Sequence, residues 1–213
     1  MIEDVLPQNA LNLIDKLAVQ LDSFYLAGGT ALALQLGHRV SEDLDFFIDK
    51  AFDAEELKNR ILPDKVSSIR SETLHCVKNG VRLSFLFYDV PLCFPPRIWR
   101  GIQVAAWQDV AAEKLKTMSQ RGAKKDFYDV YAVIMLKSDI RELCALFLNR
   151  FKGVGINLYH VLKSLVYFQD AQEDPYPTLL KNSEEWRWDS VRSFFETHLR
   201  EFEIALTNGI EDG

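Results

Sequence analysis

The stretch Tyr25–Phe47, YLAGGTALALQLGHRVSEDLDFF, constrains the fold more than any other. A short apolar strand pattern, FYLAG, runs into Gly28 and Gly29. TALALQLG then reads as a brief helix closed by Gly37, and a second strand, LDFFID, begins at Leu44. Side chains alternate along a strand, so Asp43 and Asp45 share one face while Leu44 and Phe46 enter a core on the other. Two carboxylates roughly 7 Å apart on one face repel each other unless a cation joins them. Oxygen donors of this kind suit Mg²⁺, which takes one or two carboxylates together with substrate phosphates. A glycine turn at a helix N-terminus offers backbone N–H groups and a positive dipole end to a phosphate. Either feature alone has a plain reading, solvated surface charge for the DxD and an ordinary turn for Gly-Gly. The order strand, Gly-Gly, helix, DxD strand is far more specific and proposes a metal–triphosphate site.

The rest of the chain divides in two. Residues 8–21 carry apolar side chains at helical spacing. AFDAEELKNRILP reads as a helix with Asp53 as N-cap, Glu56 three residues on, and Pro63 as its stop. Strands are expected at KVSSIRS, ETLHCVKN and VRLSFLFYD, the last two joined by an Asn79-Gly80 hairpin turn, and a short one at 102–106. From Asp109 onward the period is helical, with helices expected at 108–121, 124–137, 139–151, 155–168 and 188–205. Residues 170–183 read as a polar, proline-bearing loop, and the closing NGIEDG as a fraying end. The expected fold class is α+β: a mixed sheet flanked by helices over residues 1–106, then a helical bundle over 107–213.

A second cluster falls in the helical half. Lys114 and Arg121 lie two helical turns apart on one face of DVAAEKLKTMSQR. After Gly122, KKDFYDVYAV places Asp126 and Asp129 as surface neighbours beside Lys125. Two readings stand. In one, these residues form an ion-pair network between helices. In the other, Lys114 contacts a phosphate, Asp126 supplies a further carboxylate, and replacing Lys114 by Ala leaves the fold indifferent.

Bulk properties narrow the class. The net charge of −6 gives no general invitation to nucleic acid, though a local basic patch is compatible with it. The three cysteines, Cys76, Cys93 and Cys144, and the four histidines show no disulfide or zinc spacing. No stretch is long and apolar enough to span a bilayer, and the N-terminus lacks a secretion signal, so no membrane association and a cytoplasmic location are expected.

GGTALALQLGHRVSEDLDFF, together with AAEKLKTMSQRGAKKDFYDVYAV, resembles the nucleotidyltransferase AbiEii/AbiGii toxin family of the DNA polymerase β-like superfamily. YFQDAQEDPYPTLL and the segment before SFFETHL resemble that family's closing region. The resemblance implies a nucleotidyltransferase domain and a helical domain that completes the active-site cleft. It implies transfer of an NMP from an NTP, with Mg²⁺, to an acceptor such as tRNA or another RNA, and a cognate antitoxin as partner. A small-molecule acceptor, and a non-catalytic nucleotide-binding module acting through a partner, are the alternatives. By motif match, Gly28, Gly29 and Thr30 hold the triphosphate, Asp43 and Asp45 bind metal, and His38 and Arg39 line the approach. Lys114 and Asp126 complete the catalytic set, with Arg121, Lys125 and Asp129 in support. The chain departs from the superfamily at Ser84, where many relatives place a third carboxylate. It also has Gly29 where the family often has Ser.

Overall fold

The structure is a computed structural model that describes the backbone of residues 1–211 and the side chains of residues 1–207. The expected fraying of residues 208–213 falls on side chains outside the described residues, as does the backbone of Asp212 and Gly213. The chain forms two compact units, Met1–Trp107 and the residues from Gln108 onward.

The first unit is built on a seven-stranded mixed sheet. Its strands are β1 (Tyr25–Leu26), β2 (Asp43–Ile48), β3 (Lys65–Arg70), β4 (Thr73–Lys78), β5 (Val81–Phe87), β6 (Arg97–Trp99) and β7 (Ile102–Val104), in the order β3-β4-β5-β2-β1-β7-β6. Strand β2 pairs antiparallel with β1 and parallel with β5. The alternation read in LDFFI is realised: Leu44 and Phe46 are fully buried, while Asp43 and Asp45 lie half-buried on the opposite face. Phe46 stacks on Phe85 of β5 at 5.3 Å, so the buried face closes around aromatic contact between the two parallel strands.

Helices α1 (Gln8–Leu17), α2 (Gly28–Leu36) and α3 (Ala54–Ile61) belong to this unit. Asp53 caps α3 as its sequence suggests, accepting from the backbone N–H groups of Glu55 at 2.8 Å and Glu56 at 3.1 Å. Asn79 and Gly80 both take positive φ, 51° and 75°, the primed-turn geometry that a two-residue hairpin needs. Two local expectations change. Helix α2 begins at Gly28, two residues earlier than TALALQLG suggests, so both glycines lie in its first turn. The β6–β7 hairpin adds a strand in the proline-punctuated stretch that sequence period did not mark.

The second unit is helical: α4 (Trp107–Arg121, beginning at the last residue of the first unit), α5 (Lys124–Leu136), α6 (Ile140–Arg150), α7 (Leu158–Ser164), α8 (Gln169–Gln172) and α9 (Trp188–Glu211). Phe127 anchors its aromatic core, with ring contacts to Phe168 at 5.1 Å, Phe195 at 5.4 Å and Trp188 at 5.6 Å. The expected helix 155–168 is cut to one short helix. The segment read as loop contains α8, whose Ala171 is fully buried. Lys124 explains part of this order. Its backbone N–H donates to the Asp174 carboxylate at 2.9 Å, its ammonium donates to the Asp174 carbonyl at 2.5 Å, and it lies 4.1 Å from the Tyr176 ring. A buried lysine thus ties the polar loop to the start of α5.

Candidate active site

In the first unit the site is assembled by the β1–α2 junction and β2. Gly28 adopts φ +61°, a left-handed conformation that L side chains rarely take. A Cβ on Gly28 would lie 2.7 Å from Asp45 Oδ2. The glycine is therefore required twice over, by backbone conformation and by the closeness of the carboxylate. The bond from Ala31 N–H to the Ala27 carbonyl, 3.2 Å, is the first of the helix, so the N–H groups of Gly28, Gly29 and Thr30 are those the helix geometry leaves for other acceptors. An anion-seeking helix end and a cation-seeking carboxylate thus meet at one glycine.

Thr30 is fully buried. Its hydroxyl donates to the Asp43 carbonyl and lies 2.7 Å from the Ser41 hydroxyl. This ties the first turn of α2 to the first residue of β2 and fixes where the DxD begins. His38 and Arg39 are also buried, and Arg39 Nη1 donates to the Val40 carbonyl at 3.0 Å.

Parallel pairing of β2 with β5 sets Asp43 opposite Arg82 and Asp45 opposite Ser84. Arg82 Nε donates to Asp43 Oδ1 at 2.5 Å. Its hydrogen bond to Asp43, reinforced by that residue's charge, holds the guanidinium above its ordinary pKa. Arg82 is a site residue that sequence reading missed. The alternation in VRLSFLF puts Arg82 and Ser84 on one face, but only the strand order shows that this face adjoins the aspartates. The repulsion expected between Asp43 and Asp45 is thereby relieved at one end by a cation of the protein itself.

The chemistry of this donor set fits Mg²⁺ of the kind that takes one or two carboxylates and completes its shell with phosphate oxygens and water. Asp43 and Asp45 are the two residues that would hold it. Among the described residues, no three His, Cys, Asp or Glu side chains gather to hold a metal without help from substrate.

In the second unit the spacing of the second cluster becomes a buried network. Lys114 Nζ lies 2.7 Å from Asp126 Oδ1 and 2.6 Å from Asp129 Oδ2, and both aspartates are fully buried. Arg121 closes on Asp126 with Nε at 2.9 Å from Oδ2 and Nη2 at 3.1 Å from Oδ1. Burial pushes the Asp126 carboxyl up, but the charge of Lys114 and the hydrogen bond and charge of Arg121 together outweigh it. The group is held below the usual carboxylate range. Lys114 itself is only 5% exposed. The expectation that the fold is indifferent to its loss is therefore corrected, because removal takes a buried counter-charge from two buried carboxylates. Lys125, the next residue after the buried Lys124, is half-buried. A second buried pair also escaped sequence reading: Arg150 Nη1 donates to Asp109 Oδ1 at 2.6 Å, joining α6 to α4.

Among solved structures, the fold resembles MenT4, a nucleotidyltransferase toxin from Mycobacterium tuberculosis H37Rv. The TM-score is 0.59 at 20% identity, covering 93% of this chain and 91% of that one. JHP933 from Helicobacter pylori is matched with a TM-score of 0.48 at 16% identity, over 93% of this chain and 95% of that one. An uncharacterized protein of Aquifex aeolicus (strain VF5), aq_aa25, is 36% identical over 205 residues, 92% of this chain and 95% of its own. The sequence model described as "Nucleotidyl transferase AbiEii toxin, Type IV TA system" matches residues 14–75 and 87–208. The chain belongs to that family of nucleotidyltransferase toxins.

Proposed function

We propose that this nucleotidyltransferase moves a nucleoside monophosphate from an NTP to an RNA acceptor such as tRNA, with Mg²⁺ as cofactor, inside the cytoplasm and under the control of a cognate antitoxin. The observation that carries this reading is the juxtaposition at Gly28. The Asp45 carboxylate lies against the first turn of α2, and Asp43 shares its strand face.

In the transfer, an acceptor hydroxyl oxygen forms a bond to the α-phosphorus, the bond from that phosphorus to the α–β bridging oxygen breaks, pyrophosphate leaves, and the hydroxyl proton passes to water. Gly28, Gly29 and Thr30 receive phosphate oxygens through their backbone N–H groups, with the helix dipole in support. Asp43 and Asp45 would hold the cation, whose chemistry there would be to neutralise charge on the transferring group. Thr30 Oγ1, bound to the Asp43 carbonyl, positions the DxD rather than meeting the phosphate directly. Arg82, on the strand beside Asp43, holds that carboxylate in place. Lys114, paired inside the fold with Asp126 and Asp129, acts as a positioning residue for the helical unit's share of the site, with Arg121 and Lys125 in support and His38 and Arg39 framing the approach to α2.

The reading is tested by incubating the protein with each α-labelled NTP, Mg²⁺ and total tRNA, then separating macromolecular from small products. Label in RNA is expected with at least one NTP. Label confined to a small-molecule product, or absent with all four, contradicts the RNA acceptor.

A further inference from the structure

Acidic residues are missing from two stretches of the helical unit. The chain holds 31 Asp and Glu, yet residues 114–125 contain none and carry five Lys or Arg, and residues 143–169 contain none at all. The structure brings the two stretches together. The C-terminal end of α4 and the α7 segment enclose an open cleft of about 250 Å³, lined by Ser119, Arg121, His160, Lys163 and Tyr167 and by one acidic residue, Asp170. Several cations of these stretches are consumed inside the fold, as Lys114, Lys124 and Arg150 show. Those that line the cleft are different. Lys163 is exposed, and the Arg121 side chain is 52% exposed while it bonds Asp126 from one side; the polar ring of His160 is exposed beside them.

Aromatic rings are interleaved with these cations. Tyr167 is 48% exposed and Tyr159 66%. Tyr159 and Lys163 lie one helical turn apart on α7, and the ammonium of Lys163 sits 5.5 Å from the Tyr159 ring centre. The Tyr167 hydroxyl donates to Gln169 Oε1 at 3.2 Å. Exposed rings alternating with cations match single-stranded nucleic acid, whose phosphates need the charge and whose bases need a flat partner. An acidic protein segment would use the cations and leave the rings without a role.

We propose that this face of the helical unit, with Lys163 and Tyr167 at its centre, binds the single-stranded part of an RNA acceptor. The inference rests on the proposed transfer to RNA and says which surface holds that RNA.

The test measures binding separately from transfer. A fluorescein-labelled 12-nucleotide single-stranded RNA of mixed sequence is titrated with the intact protein across a series of KCl concentrations and followed by anisotropy. Tyr167→Ala is expected to weaken binding about tenfold, and Tyr167→Phe to bind as the parent does, because stacking needs the ring and not the hydroxyl. Lys163→Gln is expected to reduce the slope of log affinity against log salt by about 0.7, the loss of one phosphate contact on a single strand. Lys137→Gln, at the exposed end of α5, is the control for charge alone and leaves the slope unchanged. Parent protein that fails to bind the RNA overturns the inference, and so does binding that Tyr167→Ala and Lys163→Gln leave intact. Poly-glutamate that competes as well as RNA, with no response to Tyr167→Ala, also overturns it, marking the face as one for acidic protein. If RNA binds here but none becomes labelled in the transfer assay, the surface stands and the proposed acceptor falls.

Discussion

Asp45 Oδ2 lies 2.7 Å from the position that a Cβ on Gly28 would occupy, and Gly28 itself holds a φ of +61°. The first residue of α2 and the second aspartate of the DxD thus lie against each other, and no side chain can be added at Gly28 without moving the Asp45 carboxylate. Gly28→Ala is expected to cost about 1–2 kcal/mol from the left-handed backbone alone. The larger effect is on activity, since the methyl group must displace the carboxylate. A fall in transfer of tenfold or more is expected, with the melting temperature lowered by only a few degrees. Thermal unfolding and turnover on one preparation check this, and unchanged turnover would place the Asp45 carboxylate outside the reaction.

Thr30→Val keeps shape and removes a buried hydroxyl that serves the Asp43 carbonyl and Ser41. Leaving the Asp43 carbonyl without its donor and the Ser41 hydroxyl without its partner is expected to cost about 1–3 kcal/mol. Urea unfolding measures it. Thr30→Ser, which retains the hydroxyl, should recover most of the loss, and failure to recover would point to the lost methyl group instead.

The Asp126 carboxyl titrates below its ordinary range because Lys114 and Arg121 outweigh the cost of burying it. A depressed carboxylate contributes stability that is present above its unfolded pKa, about 4, and is lost as pH falls through the lower folded value. Stability is therefore expected to decline on acidification below about pH 4. Asp126→Asn should flatten that part of the profile and, at neutral pH, destabilise the protein by about 3 kcal/mol by leaving Lys114 partly unmatched. Denaturant unfolding across pH 2.5–7 (about the range of a carboxylate) tests both. An unchanged acid limb in Asp126→Asn would contradict the assignment.

The Asp109–Arg150 pair joins α4 to α6 with both side chains almost fully buried. Asp109→Ala is expected to destabilise by about 3 kcal/mol, because the buried guanidinium loses its 2.6 Å partner and keeps the longer contact to Glu113 at 3.6 Å. The double change Asp109→Leu with Arg150→Met should restore much of that stability, since packed apolar groups often replace a buried pair without loss. Calorimetry on the single and double variants decides the matter, and a double variant no better than the single would show that the pair is irreplaceable for packing.

Much of this was legible in the residues. Alternation in LDFFI gave the buried and exposed faces of β2, Asp53 announced its cap, and Asn79-Gly80 its hairpin, because each depends on chain neighbours alone. Lys114, Asp126 and Asp129 could be grouped from helical spacing across a short turn. What spacing does not carry is burial, and burial turned a set of surface charges into a closed network. Arg82 stayed hidden for another reason: its partner Asp43 is 39 residues away, and only the parallel pairing of β2 with β5 sets them side by side. Asp109 and Arg150, 41 residues apart, escaped in the same way. The break between α7 and α8 was hidden by a helical period that continues through it, while the buried ammonium of Lys124 draws the loop inward.

The central claim is that Asp43 and Asp45 hold the metal for nucleotidyl transfer. The most direct measurement is Mg²⁺-dependent turnover of the labelled NTP by Asp43→Asn and Asp45→Asn, with unfolding curves recorded on the same samples. Both changes preserve shape on a half-buried strand face, so folding should be retained. Turnover is expected to fall by about 100-fold or more in each, the scale on which loss of a preorganised charge-stabilising group is felt. Full Mg²⁺-dependent turnover in both variants would contradict the account.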